Sequence, residues 1–108
     1  MVEYTLSLDN IFTSLADPIR RDILFRLQHR AMNVSAVADP YDMSLAAVSK
    51  HLKILEQAKL IVKKKRGKER IVSLEPEAIM QASAYFKQYE QLWNERLDRL
   101  ELFLKEEQ

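Results

Sequence analysis

The chain has 108 residues, 47% hydrophobic and 31% charged, enough for one soluble domain with its own core and too apolar for a disordered tail. It has no cysteine, which excludes disulfides and zinc fingers, and no apolar stretch approaches the roughly 20 residues of a membrane span. The net charge is only +1, yet residues 18–74 hold thirteen Lys/Arg against five Asp/Glu while both ends are acidic. A basic centre implies a surface turned toward a polyanion, with ordinary solvated charge as the alternative. Nothing in Met1 to Asp9 has the basic-then-apolar form of a secretory signal, so a cytoplasmic protein is expected.

In chain order, Leu8, Ile11, Phe12 and Leu15 recur at helical spacing. Asp17-Pro18 then reads as an N-cap followed by proline at the first position of a second helix. Its apolar stripe is Ile19, Ile23, Leu24 and Leu27, and it is expected to end near His29. Asn33 can cap a short helix over Val34 to Ala38, which Asp39-Pro40 interrupts because the residue before proline is pushed out of the helical region. After a turn through Asp42 and Met43, Ser44 caps a helix with the stripe Val48, Leu52 and Leu55, ending at Ala58.

The pattern then changes. Ile61-Val62 and Ile71 to Leu74 are β-branched runs separated by Lys63 to Arg70, which contains the chain's only glycine, Gly67. A lone glycine between two such runs predicts a hairpin tip that needs a positive φ. Glu75-Pro76 opens a last helix in which Ile79, Ala82, Phe86, Tyr89, Trp93, Leu97, Leu100 and Leu104 advance by three or four residues, with an acidic outer face. The expected fold is mainly α with a small β-hairpin: a winged helix-turn-helix domain of about five helices. Residues 8–74 form its core, and residues 75–108 a long C-terminal dimerisation helix.

Two features carry chemistry. The helix beginning at Ser44 opens with small residues, Ser44, Ala46, Ala47 and Ser49, which allow close approach to a major groove, and Lys50 and Lys53 point away from its apolar stripe. The hairpin that follows crowds six cations, including Lys64, Lys65, Arg66, Lys68 and Arg70, into eight residues with only Glu69 to offset them. Such crowding costs self-repulsion that DNA phosphates would relieve, although a lysine-rich edge can also serve to block sheet aggregation. The long last helix must bury its stripe, and the chain offers too little remaining core, so a second subunit is expected to cover it.

Leu15-Ala16-Asp17-Pro18-Ile19-Arg20-Arg21-Asp22-Ile23-Leu24 resembles the Leu-Ala-Asp-Pro-Thr-Arg-Arg-x-Ile-Leu opening of ArsR-type winged-helix regulators. The Val-Ser-Lys-His-Leu-Lys-x-Leu run within Ser44 to Leu55 resembles their recognition helix, and Ala58-Lys59-Leu60-Ile61 their Ala-Gly-Leu-Val exit. The resemblance, over roughly residues 8–74, implies a homodimeric, sequence-specific repressor of a two-fold symmetric operator, relieved by some effector that the residues do not identify. It implies a dimer through the first and last helices, where Leu8 and Phe12 would join Phe86, Tyr89, Trp93, Leu97 and Leu100. By position, Leu45, Ala46, Ser49 and Lys50 fall where the family reads bases. Leu45 and Ala46 depart from the polar residues usual there, and thymine methyls are the apolar alternative.

Many ArsR-type regulators sense metals, but the Cys-x-Cys and the His and carboxylate pairs this needs are missing, so no metal site and no cofactor are expected. The only histidines, His29 and His51, read as capping, core or phosphate-contacting residues. No phosphate loop, thiol nucleophile or serine triad is suggested, so catalysis is not expected. A winged-helix module that binds protein is the competing reading. RNA binding ranks third, for want of aromatics near the basic hairpin.

Overall fold

The computed structural model describes the backbone of residues 2–106 and the side chains of residues 8–106. Along it run α1 (Val2–Leu15), α2 (Pro18–Leu27), β1 (Met32–Asn33), α3 (Val34–Ala38), α4 (Leu45–Gln57), β2 (Ile61–Arg66), β3 (Glu69–Leu74) and α5 (Pro76–Glu106). Three helices start on the caps their sequence signals. Asp17 accepts from the Arg20 N–H at 3.0 Å, Asn33 from the Ala36 N–H at 2.7 Å and Ser44 from the Ala47 N–H at 3.1 Å, each satisfying a donor that the first helical turn leaves unpaired. α2 stops at Leu27, two residues before His29.

The exit of α4 is a Schellman motif. Leu60 N–H reaches Leu55 O and Lys59 N–H reaches Glu56 O, each at 3.0 Å, and Lys59 adopts φ 60°. Lys59 therefore takes a left-handed conformation at the place where the resembling family carries glycine. Leu60 and Leu55, the two residues the motif brings together, are both fully buried.

The strands form one antiparallel sheet in the order β1-β3-β2. β1 pairs Met32 with Val72 and Asn33 with Ile71, and two residues are too few to leave a period in the sequence. The hairpin strands are longer than expected. The ladder runs from Ile61↔Leu74 to Arg66↔Glu69, so most of the cations stand on paired strand rather than in an open loop. Backbone pairing is indifferent to exposed lysines, and the two-residue connection Gly67-Lys68, with Gly67 at φ +62°, lets the ladder run almost to its end.

The core lies where these elements meet. Ile11 of α1, Ile23 of α2, Val37 of α3, Val48, Leu52 and Leu55 of α4, and Leu60 and Val72 are essentially inaccessible, each large aliphatic contributing about 2 kcal/mol. α5 contributes only Ala78 and Ala82 to this core. Its first turns cross α1, where the Phe12 ring lies 5.7 Å from Tyr85 and 5.6 Å from Phe86. Beyond that the side chains of the helix are exposed to its end at Glu106, and the molecule is 69 Å long but only 32 × 21 Å across.

Candidate nucleic-acid interface

The helix-turn-helix is α3, the turn through Tyr41, and α4. Arg26 of α2 holds α3 in place by donating to Ala36 O at 2.9 Å and Val37 O at 2.8 Å, and its guanidinium lies 5.3 Å from the centre of the Tyr41 ring. Tyr41 donates its hydroxyl to the Asp22 carboxylate; burial first, and then this bond, pushes its phenol above the ordinary tyrosine range. With the turn tied at both ends, α4 buries Val48, Leu52 and Leu55 and turns its other side outward. Ser44, Leu45, Ala46, Lys50 and Lys53 are exposed, and Ser49 is half-buried. Ser49 lines a groove of about 360 Å³ between α4 and the hairpin, together with Asn33, Ser35, Lys63, Lys68 and Arg70.

The hairpin forms the far wall of that groove. Lys64, Lys65, Arg66, Lys68 and Arg70 are all exposed, and among the described residues none of them makes an ion pair. Lys63 is the exception, 3.8 Å from Glu56 of α4. Glu69, the single acid of the segment, instead accepts from Asn33 Nδ2 at 3.1 Å, which ties the hairpin to the start of α3. Lys65 stands opposite Arg70 in the ladder, a like-charge pairing that is unfavourable until an anion neutralises it.

Other cations of the basic middle are engaged within the fold, which residue counting could not reveal. Arg20 donates from Nε to Ser14 O at 2.7 Å and from one terminal nitrogen to Thr13 O at 3.0 Å, and Arg21 donates to Leu15 O at 2.7 Å. Both close the carbonyl end of α1. The remaining Arg20 nitrogen lies 3.2 Å from His51 Nδ1. Arginine has no acceptor, so Nδ1 is the acceptor and the ring proton is assigned to Nε2. Asp17 lies 3.8 Å from the same nitrogen. The Arg20 N–H bonded to Asp17 is the main cause holding that carboxyl below the usual carboxylate range, against a smaller penalty of burial, with the Arg20 charge and the Ile19 N–H adding to it. His51 thus belongs to a corner that fastens α4 to the α1–α2 turn, rather than to the exposed face of the helix.

The residues expected to join two subunits divide into two groups. Phe86, Tyr89, Trp93, Leu97 and Leu100 share one face of α5 and are all exposed. Phe12 is half-buried against Tyr85 and Phe86, and Leu8, only 7% exposed, sits in the chain's own core with little surface left for a partner. Among the described residues no group of three His, Asp or Glu side chains converges as a metal would require, and no helix is long and apolar enough to cross a membrane.

Comparison with known proteins agrees with this arrangement. A family model described as a helix-turn-helix domain matches residues 15–63. The HTH-type transcriptional regulator Rv2034 of Mycobacterium tuberculosis is 38% identical over 68 residues, which are 63% of this chain and 64% of that protein. The transcriptional repressor SdpR of Bacillus subtilis is 35% identical over 60 residues, 56% of this chain and 67% of the repressor. A crystal structure of the ArsR family transcriptional regulator RHA00566 superposes with a TM-score of 0.79 at 36% identity, covering 83% of this chain and 93% of that one. With a shared fold at this TM-score and identity at this level across nearly the whole of that regulator, the chain belongs to the ArsR family of winged helix-turn-helix transcriptional regulators.

Proposed function

We propose that the chain is a cytoplasmic, homodimeric repressor of transcription that binds duplex DNA at a two-fold symmetric operator. The observation that carries this reading is the set of five exposed wing cations, Lys64, Lys65, Arg66, Lys68 and Arg70, that no carboxylate among the described residues neutralises, standing beside the exposed Lys50 and Lys53 of α4. Neutralising them with phosphates releases condensed counterions and supplies affinity for any duplex. α4 then enters the major groove by its small-residue end, where Ser44, Leu45, Ala46, Ser49 and Lys50 meet base edges. Two copies joined along the apolar face of α5 place two such helices in successive major grooves about 34 Å apart, while the wings hold flanking phosphates. The role of SdpR, named a repressor, supports repression as the outcome of binding.

The test is selection of bound sequences from a random duplex library, followed by affinities for the winner and a scrambled control across salt concentrations. The expected result is enrichment of an approximately palindromic site with half-sites about one helical turn apart. Equal, salt-sensitive binding to every duplex would replace specific repression by non-specific coating. No binding to any duplex would turn the wing cations toward an acidic protein surface instead.

A further inference from the structure

We propose that the first turn of α4 reads thymine through its C5 methyl group, so that each half-site carries a thymine where this turn meets the major groove. The proposal rests on the DNA-binding reading above and names the base chemistry that reading leaves open. Outside α5, the large hydrophobic residues left exposed among the described residues are Phe25, Leu45 and Ile54. Leu45 alone of these stands at the groove-entering end of α4, with 55% of its surface open. Ala46 beside it is exposed as well. Ser44, the remaining residue of this end, has its oxygen occupied by the Ala47 N–H.

The turn that goes deepest into the groove therefore offers two apolar side chains and one partly committed hydroxyl. A guanine or adenine edge pressed against Leu45 would surrender its water without gaining a hydrogen bond, a net loss for each polar atom so covered. The thymine methyl is the one apolar group that a base pair presents in the major groove. It fits Leu45 with no polar atom stranded. Hydrogen-bonded reading is displaced one turn along the helix, to the exposed Lys50 with its three donors. The apolar start of α4 thus acts as a filter for thymine.

The experiment uses the operator obtained from the random-library selection and the full chain. Each thymine of the half-site is replaced in turn by deoxyuridine, which removes the methyl and leaves base pairing unchanged. At one position the affinity falls about fourfold, the transfer value of a single methyl, and about fifteenfold when both half-sites are changed. Leu45→Ala, whose fold is checked by circular dichroism and whose side chain is outside the core, binds the thymine and uracil operators equally. The proposal is overturned if no uracil position weakens binding, or if the loss persists undiminished in Leu45→Ala. Failure of the selection to yield any operator would overturn the sequence-specific reading on which the proposal rests, and so is distinguishable from either result.

Discussion

Trp93 gives the most demanding test of the proposed assembly, because it is large, exposed and lies outside the core of its own chain. A tryptophan presents about 250 Å², and at 62% exposure roughly 150 Å² of Trp93 awaits cover. At about 25 cal/mol per Å², burying it is worth close to 4 kcal/mol per copy, of which alanine forfeits roughly 3. A two-fold interface buries it twice. Association also orders side chains and strands polar groups, so half of this value is a cautious expectation, and it still weakens the dimer about a hundredfold. Sedimentation equilibrium over a dilution series measures that shift for Trp93→Ala, while circular dichroism and urea unfolding of the monomer stay near wild type. The same residue reports on the wild-type protein, since it is the only tryptophan in the chain: its emission moves to longer wavelength over the dilution range in which the mass halves. A dimer of unchanged strength in Trp93→Ala, or an emission maximum that ignores dissociation, would refute the α5 interface.

Three further outcomes follow from the geometry. Lys50→Ala weakens the operator by about 1–3 kcal/mol more than scrambled DNA, whereas Lys65→Ala or Arg66→Ala weakens both alike and lowers the salt slope by about 0.9 per lost phosphate contact, as filter or fluorescence binding across salt reads directly. Lys59→Gly, at φ 60°, relieves a left-handed lysine and raises the stability by about 1 kcal/mol, seen as a higher urea midpoint with the same slope. Asp17 has a carboxyl lowered below its unfolded value near 3.9, so the stability it adds is complete above that pH and is lost as the pH falls through the folded value. Asparagine caps about as well without titrating, so Asp17→Asn matches wild type at pH 7 and gains on it as the pH drops below about 4. A gap in urea midpoints independent of pH would sink that assignment.

The core of the interface is legible in the sequence because its determinants are local. Asp17, Asn33 and Ser44 each carry the oxygen that caps a helix three residues ahead, and the Val48, Leu52 and Leu55 stripe orients α4 before any tertiary contact is known. Gly67 likewise marks its own turn. The resemblance to ArsR-type regulators added order to these signals, and the match to a solved ArsR regulator over most of its length bears it out.

What the chain's linear order could not reveal depends on which groups meet across distance. Charge counting treats Arg20, Arg21 and Arg26 as equals of the wing lysines, yet the fold spends all three on helix carbonyls, because each lies within reach of a helix end that needs donors. β1 exists only because Ile71 and Val72 lie beside Asn33 and Met32. Leu8 is buried within its own chain because α1 packs against α2, α4 and α5. Local propensity and period thus determined the helices, their caps and the hairpin turn, which depend on neighbours a few residues away. Tertiary packing decided which cations remain unpaired and which apolar side chains remain uncovered, since those depend on everything else having first found its place.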